Sequence, residues 1–162
     1  MTGWRVGYTA GPKTLIDAMN KLQSQMTSNI TSFCMPAIVE ALSDPAMEQT
    51  VEKMRQAFEE RGMHMFKRLN EIPGFQCVKP TGAFYAFPSI AAVLNKPLGK
   101  SGTLARDAVD FSRLVLDEAH VALVPGNDFG FPDHVRLSYA TSMEQIDKGL
   151  DRLAAFVKHN SL

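Results

Sequence analysis

Two arginines occur in sequence contexts that suit the binding of an anion. Arg5 stands between Trp4 and Val6 in a run whose glycines allow the backbone to approach a ligand closely. The alternation of large residues that continues to Tyr8 predicts a short β-type segment. A guanidinium presented from such a segment can donate two parallel hydrogen bonds to an oxyanion. We therefore predict that Arg5 binds an anionic group.

The second candidate is Arg136, in the run Val-Arg-Leu-Ser-Tyr-Ala at 135–140. A strand sends alternate side chains to opposite faces, so Arg136 shares the polar face with Ser138 while the apolar residues point the other way. Beside the glycine-containing loop 125–130, this arginine can orient a small carboxylic acid through two parallel hydrogen bonds. Alternatively, it is an edge-strand arginine whose stem covers the sheet and whose head group stays in water.

Helices in the first half of the chain are predicted to support Arg5. Pro12 begins a helix with one apolar face directed at a core, formed by Leu15, Met19, Leu22 and Met26. A shorter helix follows at 37–42. A long helix is predicted at 45–72, with Asp44 as its N-cap. At about 1.5 Å per residue it would be on the order of 40 Å long, so we expect it to join two domains.

In the second half of the chain, short strands alternate with helices. Strands are predicted at 75–78, 83–87, 121–124 and 135–140. The first two flank a turn and are predicted to form a hairpin, and 95–103 is predicted to be a surface loop. An amphipathic helix follows from Leu104. Ser142 and Gln145 form a predicted capping box for a last helix that buries Ile146, Leu150, Leu153 and Val157.

Composition is that of a globular protein, and the alternation of predicted helices and strands indicates an α/β fold. Of the 162 residues, 45% are hydrophobic and 21% are charged, and the formal net charge is +0. We expect no nucleic-acid partner, because no basic field is present. No apolar run or leader segment indicates a membrane span or export, so we expect a cytoplasmic location. Cys34, Cys77 and the four histidines lack the spacing of a disulfide framework or a metal site.

Four motifs, taken in order, together resemble the C-terminal part of a class I/II aminotransferase, a fold-type I enzyme dependent on pyridoxal phosphate. They are Met1-Thr2-Gly3-Trp4-Arg5-Val6-Gly7-Tyr8, Pro80-Thr81-Gly82-Ala83-Phe84-Tyr85, Val124-Pro125-Gly126 with Phe129-Gly130, and Arg136-Leu137-Ser138-Tyr139-Ala140. Within the class, the runs 23–29 and 136–142 look most similar to bacterial aspartate aminotransferases and their aspartate/prephenate relatives.

The resemblance implies a domain organisation and a set of site residues. Residues 1–44 would be a remnant of the large cofactor-binding domain, 45–72 the connecting helix, and 73–162 a small domain of helices packed on a small sheet. By the same resemblance, Arg5 binds the cofactor phosphate and Arg136 the substrate α-carboxylate. Asn29 and Ser28 would approach the cofactor of a partner subunit. Phe84 and Tyr85 would lie near the substrate entrance, where we expect core packing from both.

The resemblance also implies a reaction, which is the transfer of an amino group between an α-amino acid, aspartate or similar, and a 2-oxo acid. The complete enzyme would be a homodimer. In the family, the lysine that forms the Schiff base with pyridoxal phosphate precedes the Met-Thr-Gly-Trp-Arg motif. We therefore assign no catalytic residue or metal within the chain and expect the chain alone to be inactive. A pyridoxal phosphate lyase or decarboxylase, and a non-catalytic ligand-binding module, remain alternatives.

Overall fold

The structure is a computed structural model that describes residues 2–159. The chain divides between Glu52 and Lys53 into two compact units. We call them unit 1, the part up to Glu52, and unit 2, the part from Lys53 onward. The three-part division at 44 and 72 remains a prediction.

Unit 1 is helical. It contains a 3-10 turn at Thr2–Trp4, α1 at Lys13–Met26, α2 at Cys34–Ser43 and the start of α3, which spans Ala46–Asn70. The strand predicted around Arg5 is wrong: the 3-10 turn is followed by irregular backbone, and Arg5 itself adopts a left-handed φ of 52°. β-propensity depends on a partner strand to pack against, and unit 1 offers none among its described residues.

The boundaries of the unit 1 helices follow local signals. Pro12 immediately precedes α1, where its fixed φ suits a helix start. The Asp44 carboxylate accepts a hydrogen bond of 2.8 Å from the amide of Ala46, which confirms Asp44 as the cap of α3. The predicted apolar face of α1, from Leu15 to Met26, is exposed rather than buried. In α1 and α2, Cys34 is the one buried residue among those described.

Unit 2 is built on a three-stranded antiparallel sheet in the order β1–β5–β4. Its strands are β1 at Tyr85–Ala86, β4 at Val124–Pro125 and β5 at Val135–Ser138, and a separate hairpin joins β2 at Pro97–Leu98 to β3 at Thr103–Leu104. The helices are the rest of α3, α4 at Ala108–Ala119 and α5 at Met143–Lys158, and a 3-10 turn spans Gly126–Phe129. The β2–β3 hairpin occupies much of the segment predicted as a loop at 95–103 and extends to Leu104, which was predicted to begin a helix; α4 begins at Ala108 instead.

The hairpin predicted between 75–78 and 83–87 does not form. β1 pairs with β5 instead, and 75–78 keeps a single bridge from Gln76 to Ser89. The reason is the side chain of Asn70 at the end of α3, which accepts a 2.9 Å hydrogen bond from the amide of Cys77 and donates to its carbonyl. Because a helix side chain already pairs with the Cys77 backbone, this segment cannot extend a strand ladder there.

The core of unit 2 lies between the sheet and the three helices. It includes Leu69 of α3, Phe111 and Val115 of α4, Leu150 and Leu153 of α5, and Val135 of β5. Burial of each such side chain contributes about 1.5–3 kcal/mol. The predicted buried face of α5 is confirmed, and the Ser142 hydroxyl accepts a hydrogen bond from the amide of Gln145 at its start. The alternation along β5 is also confirmed, since Val135, Leu137 and Tyr139 are buried.

A polar cluster ties α3 to α5. Asp147 Oδ1 lies 2.6 Å from His64 Nε2 and accepts a 2.6 Å hydrogen bond from Arg68 Nη1, while Arg68 Nη2 donates to Asp151 at 2.5 Å. The hydrogen bond with His64, together with the nearby charges of His64 and Arg68, lowers the pKa of the Asp147 carboxyl. Because this pKa is lower in the folded state than in the unfolded state, the ionised carboxylate stabilises the fold at pH values above the unfolded-state pKa. That stabilisation is lost as the pH falls through the folded-state pKa.

We therefore expect Asp147→Asn to lower the urea midpoint of unfolding at pH 7. The difference from the unsubstituted protein should shrink as the pH falls from about 5, near the ordinary aspartate range, towards 2. Far-UV circular dichroism against urea at a series of pH values measures this. Asp117→Asn, at an exposed position of α4, is the control. A difference in urea midpoint between Asp147→Asn and the unsubstituted protein that stays constant down to pH 2 would contradict the stabilising role of the ionised Asp147 carboxylate.

Candidate active site

Arg136 projects from the centre of the sheet. It is the second residue of β5, its Cα pairs with that of Val124 on β4, and β1 pairs with β5 on the other side. Its neighbours Val135 and Leu137 enter the core, so Arg136 points to the opposite face, where its side chain is half-buried. The edge-strand alternative is therefore wrong, because β5 is the middle strand.

The Arg136 guanidinium contacts two aromatic rings. Its Cζ lies 4.4 Å from the centroid of the Tyr85 ring and 4.9 Å from that of Phe129. A cation at such distances is attracted by the negative faces of the rings. Among residues 2–159, no aspartate or glutamate forms an ion pair with Arg136. The guanidinium therefore retains hydrogen-bond donors for an anion that the described chain does not supply.

The loop that carries Phe129 is held by several contacts. A Cβ on Gly126 would lie 2.3 Å from the carbonyl oxygen of Phe131, so only glycine fits there. Gly130 ends the turn with a left-handed φ of 80°. The Asn127 amide donates a 3.1 Å hydrogen bond to Asp107, whose carboxylate also caps α4. The glycine-containing loop next to β5 thus has a fixed shape.

A further aromatic cluster adjoins Phe129. Phe87 stacks on His134 with ring centroids 5.1 Å apart, and it meets Phe129 and Phe131 edge-on at 5.9 Å each. His134 Nδ1 lies 2.8 Å from Asp133 Oδ1, and this hydrogen bond lowers the pKa of the Asp133 carboxyl. Phe87, Phe131 and His134 thus form an aromatic cluster, and the Phe129 ring packs against it through Phe87.

The motif at 80–85 is joined to the motif at 136–140. The Tyr139 hydroxyl donates to the carbonyl of Ala83 at 3.3 Å, and burial raises the pKa of that hydroxyl. A groove of about 440 Å³ lies beside Tyr139, lined by residues 79–83 and by Phe58 and Gly62 of α3. Two motifs that are far apart in sequence therefore form one surface of unit 2.

Arg5, Ser28 and Asn29 lie in unit 1. Arg5 is exposed, and no ion pair of its guanidinium occurs in the described part of the chain. Ser28 has a left-handed φ of 63°. The side-chain carbonyl of Asn29 accepts a 2.8 Å hydrogen bond from the amide of Ile30. Their proposed contacts with a cofactor remain predictions, and Met1, the first residue of the motif that contains Arg5, lies outside the described residues.

Sequence reasoning missed the partners of Arg136. Tyr85 was expected in the core, but it is partly exposed and contacts the guanidinium. Phe129 was identified from the sequence only as part of a motif. Tyr85 lies on the outer face because its neighbour Ala86 is buried and a strand alternates its side chains, and the burial of Ala86 is visible only in the structure.

No cluster of three or more histidine, cysteine, aspartate or glutamate side chains within residues 2–159 is arranged to hold a metal ion. None of the described helices combines the length and apolar character that crossing a bilayer requires.

A sequence model of the family described as aminotransferase class I and II matches residues 1–153. The chain belongs to this family. Aspartate aminotransferase of Geobacillus stearothermophilus is 48% identical over 158 residues, and asparagine–oxo-acid transaminase of Streptococcus mutans is 46% identical over 158. In both comparisons the match covers 98% of this chain but only 38% of the relative.

The fold of the chain is likewise that of part of an aminotransferase. The crystal structure of the aspartate aminotransferase from Rhizobium meliloti superposes with a TM-score of 0.89 at 41% identity, over 98% of this chain and 39% of that one. The predicted resemblance to class I/II aminotransferases and the α/β fold are confirmed. The chain spans about two fifths of the length of the aminotransferases that it matches.

The family's cofactor is pyridoxal phosphate, and two arginines of the chain, considered separately, have the chemistry to bind an anion. Exposed Arg5 has no acidic partner among the described residues, which suits a phosphate. Arg136 rests against two rings and lacks a carboxylate partner in the described chain, which suits the acid group of a substrate.

Proposed function

We propose that this chain provides the substrate-carboxylate site of a pyridoxal phosphate-dependent aminotransferase that transfers an amino group between aspartate, or a similar α-amino acid, and a 2-oxo acid. The observation that carries the proposal is the half-buried Arg136 guanidinium, which contacts Tyr85 and Phe129 and has no acidic partner among residues 2–159. Homodimeric assembly and a cytoplasmic location accompany the proposal as predictions.

In the proposed mechanism, Arg136 binds and orients the substrate. Two parallel N–H donors on a planar guanidinium fix the position and the plane of a carboxylate, and therefore the position of the neighbouring Cα. Arg5 would neutralise the cofactor phosphate. Pyridoxal phosphate, when bound, supplies the electron sink that stabilises negative charge at the substrate Cα. We assign proton transfer to a lysine outside these 162 residues, on the basis of the family resemblance.

A chimeric enzyme tests the proposal. The aligned 39% of the Rhizobium meliloti aspartate aminotransferase would be replaced by this chain, and the production of oxaloacetate from aspartate and 2-oxoglutarate would be measured. We expect transamination from the chimera and none from the 162-residue chain alone. A folded, cofactor-loaded chimera that releases carbon dioxide or ammonia from amino acids without transamination would instead support the lyase or decarboxylase alternative.

A further inference from the structure

Two aromatic residues from separate parts of unit 2 meet at the Arg136 head group. Tyr85 lies on β1 directly opposite Ser138, and is therefore diagonal to Arg136 on the same outer face of the sheet. Diagonal cross-strand neighbours are within reach of aromatic and other long side chains. Phe129 reaches the same guanidinium from the 3-10 turn before β5. One cation is thus contacted by rings from two different segments.

Each ring has a further aromatic contact besides Arg136, and both rings are partly exposed, Tyr85 at 37% and Phe129 at 45%. The ring of Tyr85 lies 4.4 Å from that of Phe84, and Ala86 anchors β1 in the core. Phe129 is fixed by the turn whose geometry requires Gly126 and by its edge contact with Phe87. The two rings therefore support, from two segments of the chain, a side chain that has many rotamers when unsupported.

The contacts use the π systems of the rings and leave hydrogen-bond donors of the guanidinium available. An arginine held by an aspartate or glutamate would have its N–H groups occupied, and a substrate carboxylate would have to compete for them. In the described chain, Arg136 has no such partner. Aromatic contacts orient the guanidinium without competing for the donors that a carboxylate needs.

We propose that Tyr85 and Phe129 are positioning residues that hold the Arg136 guanidinium in the orientation that receives the substrate carboxylate. The proposal rests on the proposed function for the identity of the ligand. This positioning depends on the aromatic face of each ring and not only on the apolar volume of the side chain. A preorganised guanidinium loses less conformational freedom when the carboxylate binds.

The first test uses the 162-residue chain and does not depend on catalysis. Ring currents should displace the Arg136 Nε–Hε signal in ¹H–¹⁵N NMR spectra. We expect Phe129→Leu, which keeps an apolar side chain but removes the ring, to shift that signal towards the position of an unsupported arginine. Phe131→Leu is the matched control, since Phe131 is an exposed ring in the same region that contacts Phe87 and His134. Equal effects of the two variants would overturn the proposal.

The second test uses the chimeric enzyme. Phe129→Leu should raise the KM for both the amino acid and the 2-oxo acid by about tenfold, the size expected for a partly desolvated cation–π contact, and should change kcat less than threefold. Phe129→Tyr and Tyr85→Phe keep a ring and should stay within about twofold of the parent. An equal fall in kcat for Phe129→Leu and Phe131→Leu would indicate a purely structural role and would overturn the proposal.

The outcomes separate this proposal from the proposed function. An inactive parent chimera with the NMR shift confined to Phe129→Leu would contradict the transaminase assignment while supporting the aromatic support of Arg136. An active parent chimera whose KM is unchanged by Phe129→Leu would support the transaminase assignment and contradict the aromatic support of Arg136.

Discussion

Arg136→Lys is expected to lower kcat/KM for aspartate by about 100-fold or more in the chimeric enzyme. Lysine keeps the positive charge but presents a compact ammonium instead of a planar fork, so it cannot give a carboxylate two parallel hydrogen bonds. It also loses much of the contact with Tyr85 and Phe129. Truncating one partner of a buried charge pair costs about 2–5 kcal/mol, and 100-fold corresponds to about 2.7 kcal/mol.

Steady-state kinetics with the amino acid and the 2-oxo acid varied separately would measure this effect. Both substrates should be affected, because each carries the carboxylate that Arg136 is proposed to bind. Arg113→Lys is the control, since Arg113 lies on the exposed side of α4 and makes only a 3.8 Å ion pair with Asp110. Loss of activity towards one substrate alone would argue that Arg136 does not bind their common group.

The elements that were predicted correctly from the sequence are those whose buried faces are set by local periodicity. α5 repeats apolar residues at helical spacing, and Ser142 marks its start, so both its face and its N-terminus were predicted. β5 alternates apolar and polar residues, which identified Val135 and Leu137 as core and Arg136 as outward-facing. In both cases one short segment contains all the information that is needed.

Errors arose where the deciding contact comes from another part of the chain. Residues 75–78 have a strand-like pattern, but Asn70 of α3 binds the backbone of Cys77. The apolar face of α1 has helical spacing, yet periodicity reports only that such a face exists and cannot identify what covers it. Arg5 stands among residues with high β-propensity, and its backbone is left-handed all the same.

For the same reason, Arg136 of the candidate site could be predicted from the sequence, whereas its two aromatic neighbours could not. Arg136 was identified because its own strand places it opposite the apolar face. Tyr85 and Phe129 come from positions 51 and 7 residues earlier in the chain, and their convergence on Arg136 depends on β1 pairing with β5 rather than with 75–78. The incorrect hairpin prediction therefore concealed Tyr85 as well, since pairing determines which side chains share a face.

Phe111→Ala is expected to have the largest effect on the stability of unit 2. The Phe111 side chain is fully buried, with 0% exposure, and its ring lies 6.1 Å from that of Phe75 and 6.0 Å from that of Phe156. It therefore joins the segment after α3 to both α4 and α5. Replacing a buried phenylalanine with alanine removes transfer free energy and leaves a cavity, at a cost of about 3–5 kcal/mol.

Urea denaturation followed by far-UV circular dichroism would measure the loss, while fluorescence of the single tryptophan, Trp4, follows unit 1. With an m-value of about 1–3 kcal/mol/M, the unit 2 midpoint should fall by about 1 M or more. Phe111→Leu, which leaves a smaller cavity, keeps the test informative if the alanine variant does not fold. Val109→Ala, at an exposed position of α4, should cost about 0.5 kcal/mol or less. Similar losses of unfolding free energy for Phe111→Leu and Val109→Ala would contradict the placement of Phe111 at the centre of this core. Removing part of a fully buried ring must cost more than shortening an exposed side chain.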